Sequence, residues 1–198
     1  MTVVMTHVTL ALALATGPAG VYTLTGEREV ASQLTLKPDG TFEYMLVYGA
    51  ADFQSQGKWH TDGDSVVLDA KTSDTPPFRL TSSKFIKVPA IRVWVKAANG
   101  QGVPNIDVFL GDESARTDAQ GAAMFQPTET REVRFEVPVY MYQGKPQALN
   151  SKHNDFTFEI NGEAITQVPF NGERLLMKDG KLELRYWKKD RPIVYTKE

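Results

Sequence analysis

The sequence predicts an all-β protein made of short antiparallel strands, and three observations predict it. Turn dipeptides stand at Asp39-Gly40, Asp62-Gly63, Asn99-Gly100, Asn161-Gly162, Asn171-Gly172 and Asp179-Gly180. Asn-Gly and Asp-Gly tolerate the positive φ of a tight hairpin, so each reads as a strand reversal. The runs between them alternate apolar and polar residues, which puts one row of side chains on a buried face. Apart from an apolar N-terminal run, no stretch keeps a helical period.

The elements follow in order. Residues 21–24 are short and extended. Residues 31–37 alternate, with Leu34 and Leu36 on one face, and Pro38-Asp39-Gly40 turns the chain. Residues 41–48 return with Phe42, Tyr44 and Leu46 on one face. Residues 49–52 form the next turn, 54–60 a strand, 61–64 a turn and 65–69 its partner. Residues 72–77 form a loop whose Pro76 and Pro77 exclude a central strand, and residues 78–81 close this meander. A second pattern begins near Pro89: strands at 91–96, 106–110, 122–125, 133–137 and 139–142, with a polar loop over 143–155. Strands at 156–160, 164–168, 174–177, 181–186 and 192–195 complete the chain. Many short strands at regular spacing mean a sandwich or a barrel.

Composition narrows the function classes. The chain has 198 residues, 41% hydrophobic and 23% charged, with a net charge of −2. That balance is ordinary for a soluble globular protein, is long enough for a real core, and gives no electrostatic reason to expect nucleic acid or anionic lipid as partner. The densest basic spot, Lys188-Lys189 with Arg191, reads as a charged hairpin turn. The sequence has no cysteine, which removes disulfides, thiolate catalysis, cysteine-ligated zinc and a lipid-attachment thiol.

The apolar run at residues 8–15 is too short to span a bilayer as a helix. Ala13, Ala15 and Ala19, the last beside Pro18, supply A-x-A-like cleavage positions. Residues 1–19 therefore resemble a secretory signal peptide, although the first seven carry no Lys or Arg. The expected location is periplasmic or secreted.

Two further resemblances rest on quoted motifs. Leu34-x-Leu36-x-x-Asp39-Gly40-x-Phe42, Gly57-x-Trp59 and Gly63-Asp64-x-Val66-x-Leu68 resemble bacterial lipocalin-like small barrels, including the N-terminal domain of copper-resistance lipoproteins. In such a barrel the glycine lets strands approach and the tryptophan plugs one end. The cysteines of those lipoproteins are missing, so no metal or redox role carries over. Val93, Val95, Asn99-Gly100, Val103-Pro104-Asn105-Ile106-x-Val108 and Thr117-Asp118-x-x-Gly121-x-x-x-Phe125 resemble the carboxypeptidase regulatory-like, or transthyretin-like, Ig-type β-sandwich. That resemblance implies an accessory module without an active site, in which Asp118 binds backbone amides and Gly121 takes the left-handed conformation. The closing run, 175–195, resembles the last strands of a lipocalin-like barrel. The expected organisation is a barrel from residues 20–88 plus 151–198, with a sandwich inserted at 89–150. Two consecutive domains divided near Lys87 are the alternative.

Candidate chemistry is sparse. His60-x-Asp62-x-Asp64 would share a face on a strand, but Asp62-Gly63 is a turn, which breaks the alignment a metal needs. Ser151, His153 and Asp155 gather triad groups in one loop, whereas a triad needs them to converge from separate elements. Asp107, Asp112, Glu113 and Asp118 lack calcium-loop spacing. No catalytic residue, metal site or cofactor is expected. Phe42, Tyr44, Tyr48, Phe53 and Trp59 are the candidate ligand-binding residues, either as the lining of a barrel pocket or as plain core. The sequence thus points to an exported, non-catalytic binding or interaction protein of the bacterial cell envelope. Its partner is a protein or a small apolar ligand. A carrier of a small apolar ligand and a hydrolase using His153 or His60 are the alternatives.

Overall fold

The computed structural model describes residues 17–184 and 192–198. The apolar run at 8–15 and the basic spot at Lys188, Lys189 and Arg191 lie outside the described residues. In chain order the strands are β1 (Gly20–Thr25), β2 (Val30–Leu36), β3 (Thr41–Tyr48), β4 (Ala51–Asp62), β5 (Ser65–Ala70), β6 (Phe78–Lys84), β7 (Ile91–Lys96), β8 (Asp107–Leu110) and β9 (Glu113–Arg116). They continue as β10 (Ala122–Phe125), β11 (Glu132–Val137), β12 (Tyr142–Gln143), β13 (Gln147–Ala148), β14 (Asp155–Ile160), β15 (Asn171–Lys178), β16 (Lys181–Leu184) and β17 (Ile193–Lys197). A 3-10 turn spans Pro138–Tyr140, and a short helix, α1, spans Gly162–Thr166.

Eight strands close an antiparallel barrel in the order β1-β17-β16-β15-β5-β4-β3-β2. Closure comes from β1, which pairs with its sequence neighbour β2 (Tyr22 opposite Leu34) and with β17 (Leu24 opposite Tyr195). Alternation sets what points inward. Leu34 and Leu36 of β2, Phe42, Tyr44 and Leu46 of β3, and Val66 and Leu68 of β5 are buried in one core. Between them lie outward residues such as Gln33, Glu43 and Met45. The period of two fixes this register, because a one-residue slip would turn the whole apolar row to water.

The turns follow their residue chemistry. At residues 37–41, Gly40 N donates to Lys37 O (3.1 Å), Lys37 N to Thr41 O (2.8 Å), and Asp39 Oδ1 accepts from Thr41 N (2.9 Å). The same bonds recur at 97–101, where Asn99 replaces Asp39. Asp179-Gly180 links β15 to β16 with φ of 50° and 73°, the twist that a two-residue hairpin favours.

The strands between β5 and β15 form two further sheets, β10-β7-β14-β6 and β12-β11-β8-β9, with β13 beside β11. A second core lies between them. Phe78 stacks on Phe135 with ring centroids 4.2 Å apart, and Phe135 meets Phe158 edge-on at 4.7 Å. Thr117, buried, donates to Val103 O (2.8 Å) and accepts from Ile106 N (2.9 Å). Asp118 Oδ1 accepts from Gln120 N and Ala122 N.

Several expectations give way. Residues 78–81 do not close the first meander: β6 pairs with β14 in the second unit, opposite Phe158 and Ile160. Residues 156–160 likewise leave the barrel, because β14 also runs parallel to β7. Both carry Phe78, Phe156 and Phe158 into the second core. Residues 164–168, expected as a strand, hold α1 instead. Asn161 is its N-cap, its side chain accepting from Ala164 N at 3.5 Å, and Glu163 sits in the first turn, where it suits the helix dipole. Asn171-Gly172 makes a bulge inside β15 and not a hairpin, with Gly172 at φ 66°. Residues 139–142 are largely the 3-10 turn, which ends at Met141 with φ 53°.

The two cores touch. Tyr140 packs against both, and Val168 and Phe170, which follow α1, belong to the barrel core. Beyond Gly57 the strand β4 has outrun β5, and this segment fills the gap. Val168 N donates to Gln54 O (2.9 Å) and Ala70 N to Phe170 O (2.8 Å). The Phe170 ring then sits edge-on to Phe42 (5.8 Å) and Tyr44 (5.0 Å).

Candidate functional site at the barrel mouth

The two ends of the barrel differ. At one end Trp59 Nε1 donates to Lys37 O (2.9 Å) and Trp59 N to Gly40 O (2.8 Å), which ties the indole under the β2–β3 turn. Gly57 lies nearby, opposite Phe42 and Ala70. A methyl on it would overlap the Asp69 carbonyl, so only glycine permits β4 and β5 to meet there. This end is filled.

The other end holds a cavity of about 410 Å³, within the size range of small-molecule sites. Among the described residues its walls are Leu24 of β1, Val30 of β2, Leu46 of β3, Phe53 of β4 and Ile193 of β17. Tyr44 and Tyr195 line it from below, Tyr48 stands at its edge, and Glu27, Arg28 and Glu29 of the β1–β2 loop form a charged rim. Met141 supplies one wall from outside the barrel. The 3-10 turn positions it, with Tyr140 edge-on to Phe53 at 5.7 Å and Met141 N bonded to Pro138 O at 3.0 Å. Two larger depressions, about 530 and 650 Å³, lie along β3 and β4, one beside the end of β5 and one beside the loop at 71–75 and α1, and both include polar and charged side chains such as Gln56 and Lys71. The mouth cavity differs in that most of its walls are aliphatic and aromatic side chains drawn from β1, β2, β3, β4 and β17.

Its floor is polar. Ser32 Oγ donates to Met45 O (2.7 Å) and lies 2.8 Å from the Tyr195 hydroxyl. Tyr195 donates to the Tyr44 hydroxyl across 3.3 Å. Burial, with Tyr44 beside it, pushes the Tyr195 phenol well above the ordinary tyrosine range and keeps it neutral. Ser55, opposite Tyr44 in the ladder, is buried with no partner for its Oγ among the described residues.

The five candidate residues therefore separate. Tyr44 and Phe53 face the cavity from the buried side, and Tyr48, 55% exposed, borders it. Phe42 lies against Phe170, and Trp59 belongs to the opposite end, under the β2–β3 turn. Sequence reasoning missed Ser32, Met141, Ile193 and Tyr195. Ser32 shares the inward parity of Leu34 and Leu36, and a polar residue at that parity is a readable signal. The other three come from distant segments: closure by β17 brings Ile193 and Tyr195 to the mouth, and the 3-10 turn brings Met141 from outside the barrel.

The polar clusters also part company. His60 is exposed on β4, while Asp62 pairs with Arg174 (2.7 Å), whose guanidinium holds its carboxyl below the usual range. Among the described residues, no group of three or more His, Asp or Glu side chains comes together as metal ligands would. His153 Nδ1 lies 2.7 Å from Ser83 Oγ on β6, away from Ser151. Asp155 is buried and accepts from Trp94 Nε1 (2.8 Å) and Arg92 (3.1 Å), with Lys84 at 3.6 Å. Asp107 pairs with Arg116 (2.7 Å) across β8 and β9. Among the described residues, no helix is long and apolar enough to cross a membrane.

Comparison with family models, with curated proteins and with solved structures finds no match to this chain.

Proposed function

We propose that this chain is an exported, non-catalytic binding protein of the bacterial cell envelope, and that its barrel holds a small, mainly apolar ligand at the open mouth. The observation that carries the reading is the cavity of about 410 Å³ whose walls are inward-facing aliphatic and aromatic side chains of β1, β2, β3, β4 and β17. Such a cavity gains free energy by taking apolar surface out of water, about 25 cal/mol for each Å². The lipocalin-like motif residues and the export-like N-terminus support the same reading. The sandwich-like unit serves as a docking or spacing module beside the barrel, and the wall it contributes at Met141 couples the two.

The experiment is a titration with the neutral fluorophore N-phenyl-1-naphthylamine, which brightens in apolar surroundings. A saturable one-site rise is expected, and Val30→Trp, which fills the mouth from its rim, should abolish it while leaving the β circular dichroism intact. A linear, unsaturable response, or equal binding by Val30→Trp, would contradict the reading.

A further inference from the structure

We propose that one corner of the second unit is a docking surface for an anionic lipid membrane, into which Phe85 inserts while Lys84, Lys87 and Arg92 face the headgroups. The proposal goes beyond the ligand of the barrel and stands without it.

Cross-strand register builds the corner. Met124 of β10 lies opposite Arg92 of β7, Arg92 opposite Asp155 of β14, and Asp155 opposite Lys84 of β6. These residues form one row across the sheet, and the loop from β6 to β7 begins and ends beside it. Three apolar side chains stand in water here: Phe85, 65% exposed, Met124, 60% exposed, and Val88. Among the described residues no other phenylalanine is as exposed. Asn154 staples the loop that carries Phe85 and Val88. Its Oδ1 accepts from Ile86 N (2.8 Å), and its Nδ2 lies within bonding distance of the carbonyls of Ile86 (3.0 Å), Val88 (3.2 Å) and Ala90 (3.2 Å). Its backbone ties the two ends, Asn154 N donating to Lys84 O (3.1 Å) and Arg92 N to Asn154 O (2.8 Å). A bonded loop thus holds the exposed side chains out, and docking costs little ordering.

Charge names the partner. The chain's net charge of −2 hides this basic corner. Lys84, Lys87 and Arg92 supply its cations, and the carboxylate in the row, Asp155, is buried and shared by Arg92 (3.1 Å) and Lys84 (3.6 Å). Lys87 makes no ion pair among the described residues. A cation adjoins each apolar side chain: Lys84 precedes Phe85, Lys87 precedes Val88, and Arg92 stands opposite Met124. That pattern suits a membrane interface, where apolar tips enter the acyl boundary and the long stems of lysine and arginine keep their charges among anionic headgroups. An acidic protein would need a surface shaped to these protruding tips, whereas lipid closes around each one.

The test is co-sedimentation of the full chain with vesicles of phosphatidylcholine, alone or mixed with phosphatidylglycerol. Binding is expected to the mixed vesicles only, and it should weaken as salt rises. Phe85→Ser should weaken it about tenfold, and Lys87→Gln roughly fivefold. Both positions are exposed, so neither core is disturbed. The chain has no cysteine, so a nitrobenzoxadiazole dye on Phe85→Cys reports this loop alone and should brighten on the mixed vesicles. The same dye on Met45→Cys, exposed on β3, should not. Equal binding to phosphatidylcholine alone, binding undiminished by Phe85→Ser, equal brightening at both labelled positions, or no vesicle binding would overturn the proposal. Capture by polyglutamate without vesicle binding would overturn it in favour of an acidic protein partner. The N-phenyl-1-naphthylamine titration, run without vesicles, judges the barrel separately.

Discussion

Gly57 and Tyr195 each decide something about the barrel. Gly57 sits opposite Ala70 of β5, with the Asp69 carbonyl and the Ala70 Cα occupying the space a side chain needs. Gly57→Ala should therefore cost about 1–3 kcal/mol of stability, the range for overpacking a site whose neighbour is backbone. Urea unfolding should show it as a lower midpoint at unchanged slope. Tyr195 makes the fold sensitive to alkali. Its folded-state pKa is raised above the unfolded value near 10, mainly by burial. Its contribution is fully present below about pH 10 and declines above it, as the unfolded chain releases a proton that the folded chain keeps. Burial raises Tyr22 and Tyr142 in the same direction. Stability measured between pH 9 and 12 should fall more steeply for the native chain than for Tyr195→Phe. A pair of parallel curves would contradict the assignment.

The segment that follows α1 and the 3-10 turn lie outside the eight barrel strands, yet they complete the barrel. Phe170 is 2% exposed and fills the interior where β5 stops short of β4. Phe170→Ala should cost about 3–5 kcal/mol, read as a lower thermal midpoint. Met141 holds a left-handed φ of 53° without being glycine, a conformation that costs on the order of 1 kcal/mol. Met141→Gly should leave stability level or slightly raised and weaken probe binding, because it removes one wall of the cavity. These elements also show how far a sequence can be read. At 37–41 the dipeptide is flanked by alternation on both sides, and the hairpin is legible. At Asn161-Gly162 the same dipeptide opens a helix, because an asparagine that suits a turn suits an N-cap equally well. At Asn171-Gly172 it opens a bulge, since positive φ serves both. Alternation in 78–81 and 156–160 reveals a buried face and is silent on which sheet receives it. The strands of Phe78 and Phe158 pair in one sheet across some eighty residues of chain, a separation that local patterning does not report.

For the whole molecule, closure is what assembles the cavity at the mouth. Tyr44 and Phe53 are inward by parity, which the sequence reveals. Tyr195 and Ile193 reach them because β17 returns to β1, with Thr25 opposite Val194 and Tyr22 opposite Lys197. Amide exchange should protect residues 21–24 and 194–197 to a similar degree, as partners in one cooperative ladder. The export expectation has a separate check in the native host, where mass spectrometry should find a mature N-terminus near Thr16 or Gly20, and an intact Met1 would contradict it. The account rests above all on the open mouth of the barrel being where a ligand sits. The most direct measurement is a two-dimensional NMR titration with N-phenyl-1-naphthylamine on the assigned protein. Amide shifts should concentrate at residues 24–30, 44–53, 141 and 193–195, with the Phe170 region moving less. Shifts centred on the outer faces of β3 and β4, or within residues 91–135, would contradict it.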